Sequence, residues 1–237
     1  VHVITLEGSY NARGIGSGRR PWLVRSAGLD ALTPGGERAL RGAGVDLVID
    51  LREGSEHARR THAIPVRSVP LYGEAPPASG SLETVYAGLV RDRGARLAAA
   101  VIAIAEHPGT AVVHCTAGKD RTGLVVALAR LAAGDARADV VADYAASGAA
   151  VRPARQAIAA AQLSGLGLTD AARAASERLH LDSPAEALEA ALDIVDELGG
   201  AAHYLRSHGA GDAHLAALAA LAERAGGRTA TVSEPVV

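Results

Sequence analysis

Residues 111–123, Ala-Val-Val-His-Cys-Thr-Ala-Gly-Lys-Asp-Arg-Thr-Gly, constrain the fold more than any other stretch of the chain. The apolar start reads as a buried strand ending at His114. The run from Leu124 onward reads as a helix, and only a tight loop separates the two. Such a strand–loop–helix leaves several backbone N–H groups unpaired and converging on one hollow, which suits an anion and above all a phosphate. Cys115, the one cysteine in 237 residues, sits on the edge of that hollow. Arg121 follows six positions later with a planar fork matched to two phosphate oxygens.

Each part of this spacing has a chemical reason. A cysteine attacks as the thiolate, which the helix N-terminus, Lys119 and Arg121 favour. A thiolate that attacks phosphorus forms a thiophosphate and splits hydrolysis into two easier steps. Thr116, Ala117, Gly118, Lys119 and Arg121 are the expected phosphate binders, stabilising charge on the equatorial oxygens. Thr122 can donate to the sulfur as it leaves, His114 orients the loop, and Lys119 adds positive charge at the pocket rim. The chemistry needs no metal and no cofactor.

The segment His114 to Gly123 resembles the signature of cysteine-dependent phosphatases. Its Gly118-Lys-Asp-Arg121 core is similar to that of the bacterial tyrosine/dual-specificity group, some members of which also act on phosphoinositides. Other pieces fit the same resemblance: Asn11 and Arg13, the Arg25-Ser26 segment, Asp50-Leu-Arg52, and Asp143-Tyr-Ala-Ala-Ser147. The group carries an Asp after the Arg of its first element, and here Gly14 stands there. The resemblance covers most of residues 9–225. It implies an α/β fold: a central, mainly parallel sheet flanked by helices, cysteine-phosphatase-like, with extra Ala-rich helices in the C-terminal half. It also implies an acid inside the loop, at Asp120. Two alternatives for the general acid stay open: Glu74, on a loop preceding the signature, and Asp50, at a strand end facing the ligand crevice.

Composition narrows the remainder. A core without Phe or Met must be built from Ala, Leu and Val. A net charge of −2 provides no broad basic field for nucleic acid. No apolar run reaches the length of a membrane span, and the first residues lack a basic, signal-like start. One cysteine excludes an internal disulfide, so a reducing, cytoplasmic setting is expected.

Along the chain, strands are expected at 2–7, 19–25, 45–52 and 63–72, the last interrupted by prolines and hence near an edge. The glycine-rich stretch 8–18 reads as a hairpin-like turn. A helix capped by Thr33 begins at Pro34, a short charged helix covers 53–60, an amphipathic helix starts at Ser81 and an Ala-rich one runs over 95–106. Residues 1–225 form one domain, and 226–237 a frayed tail. Within it, 148–182 is either a helical lid over the site or plain packing against the sheet. Ser183-Pro-Ala-Glu186 has the form of a capping box. The expected partner is a phosphorylated protein, lipid or small molecule such as a nucleoside or sugar phosphate. A phosphate-binding module without hydrolysis is the reading from another class, although such a module has no use for Cys115.

Overall fold

The structure, a computed structural model, describes residues 1–16 and 20–226. Of the expected tail at 226–237 only Gly226 is described, at the end of the last helix; residues 17–18 of the glycine-rich turn, Arg19 and residues 227–237 lie outside the described residues. Six strands form one sheet: β1 (His2–Val3), β2 (Arg13–Ile15), β3 (Leu23–Ser26), β4 (Val45–Asp50), β5 (Val66–Ser68) and β6 (Thr110–His114). Their order is β1-β2-β3-β6-β4-β5. The pairs β1–β2 and β2–β3 are antiparallel, whereas β3–β6, β6–β4 and β4–β5 are parallel. This is the mainly parallel α/β sheet expected, with β6 at its centre. The Pro-interrupted strand, β5, does lie on the edge.

The strand residues divide between two cores with the period of two that a pleated sheet imposes. Val24, Val48 and Val112 point to one face and pack with Leu40 of α1 (Pro34–Gly42). Leu23, Ile49 and Val113 point to the other, where most helices gather. These are α2 (Leu82–Asp92), α3 (Gly94–Ala105), α4 (Asp120–Ala132), α5 (Arg137–Ala145), α7 (Asp170–Leu181), α8 (Ala185–Glu197), α9 (Gly200–Ser207) and α10 (Asp212–Gly226), while α6 (Ser147–Ser164) packs on α7 outside this core. Every residue of α4 from Arg121 to Arg130 is buried. Alanines at 127 and 129 let α3, α5, α9 and α10 close around it without large side chains.

Local signals predict these boundaries unevenly. Thr33 caps α1 as its sequence implies, accepting from the Gly36 N–H at 3.2 Å, with Pro34 first in the helix. The β1 strand is only two residues long, because a turn begins at Glu7. The charged helix expected over 53–60 reduces to a 3-10 turn, Gly54–Glu56, since the chain beyond it runs extended. The capping box at Ser183 does not form. Its hydroxyl donates to the Ala145 carbonyl (2.9 Å) and accepts from the Gly148 N–H (2.7 Å), joining α5 and α6 instead.

Candidate active site

The loop between β6 and α4 is held from behind by its own carbonyls. Asn11, in a left-handed conformation at φ 56°, donates from Nδ2 to the carbonyls of Ala117 (3.1 Å) and Gly118 (3.0 Å). Arg25 adds a second donor to Gly118 O at 2.7 Å, and the Gly28 N–H takes Thr116 O at 3.2 Å. Gly118 itself has φ 64° and lies so close to β3 that a Cβ would stand 2.2 Å from Ser26 O, so only glycine fits. With its carbonyls drawn to the rear, the loop turns its N–H groups the other way. None from Thr116 to Lys119 donates to a backbone carbonyl among the described residues. They are the free donors that a phosphate cradle requires.

Behind the carbonyl contacts stands a fully buried ionic network. Asp143 of α5 receives Arg13 at 2.7 Å and Arg25 at 2.8 Å, and both arginines also donate to Ser147 Oγ. Burial would raise the Asp143 carboxyl, but the two guanidinium charges outweigh it and hold the group down at about 2.

On the front, Cys115 and Arg121 face a cavity of about 480 Å³, whose wall also includes Thr116, Ala117, Asp120, Glu56 and Tyr72. Both terminal nitrogens of Arg121 are bound to the Glu56 carboxylate, at 2.5 and 2.7 Å, and the Thr116 hydroxyl donates to the same group. Tyr72 covers the guanidinium face at 5.0 Å. Burial pushes the Glu56 carboxyl up, yet the hydrogen bonds and charge of Arg121 win and bring it to about 2. Asp120 accepts from Tyr86 Oη at 2.7 Å, and Tyr86 Oη lies 2.7 Å from Tyr144 Oη. Thr122 is fully buried, and its hydroxyl has no hydrogen-bond partner among the described residues.

Across residues 4–222, the loop and its supports included, the sequence matches the model of the tyrosine phosphatase family. The chain belongs to that family. It is also similar to a tyrosine-protein phosphatase of Nostoc commune, 30% identical over 141 residues that cover 52% of this chain and 47% of the relative. The chain therefore spans about half the length of the curated relative it matches.

For a member of the tyrosine phosphatase family, the three acids expected from the sequence lie in very different places. Asp120 is on the cavity wall with Cys115 and Arg121. Glu74 is exposed, ion-paired with Arg93 at 2.9 Å, and does not line that cavity. Asp50 is buried on the far side of the 3-10 turn, where Arg52 holds it at 2.9 Å and His114 Nε2 lies 3.6 Å away. Neither is brought to the loop's front. Lys119 departs most from expectation. Instead of standing at the rim it is completely buried, and its Nζ bonds the carbonyls of Leu179 (2.7 Å) and Asp182 (2.6 Å) and approaches Asp120 Oδ1 at 3.0 Å. It thus ties the loop to the C-terminal end of α7, where carbonyls lack helical partners. His114 is buried, with Nδ1 3.2 Å from Cys115 O.

The sequence reading missed Glu56, Tyr72 and Tyr86. Glu56 fell in a stretch read as a solvated charged helix. The signal available was its distance of only four positions from Arg52, at the loop end of a central strand.

Proposed function

We propose that this protein is a metal-independent phosphomonoester hydrolase that works through a Cys115 thiophosphate, with phosphotyrosine-type or dual-specificity substrates as its first class. The observation that carries the reading is the set of unpaired N–H groups at Thr116–Lys119, facing away from the anchored carbonyls in a loop whose Cys115 and Arg121 share one cavity wall. In the first step the Cys115 sulfur attacks phosphorus, and the P–O bond to the leaving group breaks. Asp120, as the carboxylic acid, gives its proton to the departing oxygen. In the second step the Asp120 carboxylate takes a proton from water, which attacks phosphorus. The P–S bond breaks, and the sulfur leaves as thiolate with the free Thr122 hydroxyl as its donor. Loop N–H groups and Arg121 hold the equatorial oxygens throughout, and no metal charge is required.

A second reading keeps the chemistry and changes the substrate to a small phosphate such as a nucleoside or sugar phosphate. The walls contributed by α6 and α7 (Arg155, Gln162, Leu179 and His180) favour it, since they limit what can follow the phosphate into the cavity. These two helices are the proposed lid. The test is hydrolysis of phenyl phosphate, a phosphotyrosine peptide, a phosphoinositide and nucleoside monophosphates, with EDTA present and Cys115→Ser in parallel. The serine variant should lose activity by a factor on the order of 10³ or more. Turnover that survives in Cys115→Ser sinks the thiophosphate route. A preference above about a hundredfold for a nucleotide moves the assignment to the second reading.

A further inference from the structure

Besides Cys115 and Tyr72, five charged or titratable side chains line the cavity: Glu56, Asp120, Arg121, Arg155 and His180. Four have a fixed engagement. Glu56 and Arg121 bind each other, Asp120 is met by Lys119 and Tyr86, and His180 Nε2 lies 2.9 Å from Ala78 O. Arg155 has no carboxylate within ion-pair distance among the described residues, and its polar neighbour is the Tyr10 hydroxyl. Its neighbour on α6, Arg152, by contrast pairs with Asp182.

Its place in the helix pattern is also unexpected. Val151, Ala159 and Leu163 are buried at intervals of four, the spacing that puts residues on one helical face. Arg155 fills the missing step in that stripe, where an apolar residue would complete the packing. A half-buried guanidinium without a counter-ion is costly, and an anion arriving in the cavity relieves that cost. Burial raises the Tyr10 phenol, and the charge and hydrogen bond of the Arg155 guanidinium lower it, so this hydroxyl stands beside Arg155 without neutralising it. Lys119, the cation that the loop itself could have offered, is withdrawn into contacts with α7.

We propose that Arg155 is a specificity-determining residue that binds a second anionic group of the substrate, a carboxylate or a second phosphate, while the loop holds the phosphoryl group to be transferred. This rests on the phosphatase reading above and assigns the second charge of the pocket to α6 rather than to the loop. A cavity of about 480 Å³ has room for a phosphate and a ring-sized body bearing the other anion.

The experiment measures kcat/KM for two matched pairs: 4-carboxyphenyl phosphate against its methyl ester, and benzene-1,4-diyl bisphosphate against phenyl phosphate. Wild type, R155Q and R155K are compared. In R155Q the charged-over-neutral ratio should fall about tenfold in at least one pair, mainly through KM, and R155K should retain most of it. The pair that responds tells carboxylate from phosphate. Ratios within threefold of wild type in both pairs overturn the assignment, as does a loss in R155Q that is equal for charged and neutral substrates. Glutamine is a good helix former at this half-exposed site, and R155K gives a second reading if R155Q misfolds. Wild type that hydrolyses none of the four counts against the phosphatase reading instead.

Discussion

The two sides of the loop between β6 and α4 are built from different materials. The rear is assembled from β2, β3 and α5, distant in sequence, and its polar contacts are buried: Asn11 and Arg25 on loop carbonyls, Arg13 and Arg25 on Asp143. The front is made by short or peripheral elements: the 3-10 turn that carries Glu56, Tyr72 on a loop, and α7 reached by Lys119. A rear of charges taken out of water is strongly conditional, because each member is tolerable only while its partners stay. A front that opens on a cavity can exchange its partners for solvent or substrate. On the proposed function, the rear would hold the loop's shape and the front would carry its chemistry. It follows that the two sides should respond differently to the same kind of substitution.

The largest effect is expected at Asp143. Asp143→Asn keeps the shape but removes the one carboxylate that neutralises both Arg13 and Arg25, leaving two buried guanidinium groups uncompensated. The unfolding free energy in urea should drop by about 3–5 kcal/mol. Activity should fall together with the folded fraction, since the loop loses its frame. A variant of near wild-type stability would mean that the rear is not what holds the loop.

The contrast also explains what could be read in advance. The loop itself was legible because Cys115, Gly118, Arg121 and Thr122 fall within one short stretch, and a strand–loop–helix is encoded locally. The pieces of the rear were visible as separate likenesses at Asn11, Arg13, Arg25, Asp143 and Ser147. Their convergence was not, since contact over sequence separations above one hundred is decided by how β3 lies beside β6. Lys119 was misplaced for a related reason. Its local setting, beside Arg121 in an anion loop, implies an outward charge. The carbonyls of Leu179 and Asp182, sixty residues away, draw it inward. Glu56 was hidden because an acid in a charged run resembles a solvated face until its partner is known.

A middle-sized effect belongs to the front. Glu56→Gln keeps one acceptor for Arg121 but loses the charge and the bidentate grip. With the fork free to shift, kcat/KM on an aryl phosphate should fall about tenfold to a hundredfold, roughly 1.4–2.7 kcal/mol of transition-state stabilisation. Stability should change by less than in Asp143→Asn. Steady-state kinetics and urea unfolding on the same two variants draw the comparison directly. An increase in activity would show Glu56 competing with substrate for the fork rather than aiming it. Unfolding as severe as that of Asp143→Asn would erase the distinction between the sides.

The smallest effect sharpens the comparison through pH. His114 precedes Cys115, and the charged or titratable groups that share its hollow are Asp30, Asp50, Arg52, His57, Arg60 and His62. Burial pushes its imidazole from 6.5 to about 4, and the opposing Asp50 carboxylate does not restore it. The folded protein therefore holds His114 neutral down to about pH 4, whereas the unfolded chain takes up a proton near 6.5. Between those values the unfolded state binds more protons, so stability is complete above the window and falls as the pH drops through it. From pH 7 to pH 5 the loss from this one group is about 2 kcal/mol. Asp143 and Glu56 are held near 2 and lie below this range. His62, also lowered by burial, adds a background shared by wild type and variant. Urea unfolding of wild type and His114→Gln at both pH values isolates the difference. The variant should be less sensitive to acid by about that amount. Equal slopes would mean that His114 is protonated in the folded protein, bound to Asp50 as an ion pair, and that the support under the loop is charged rather than neutral.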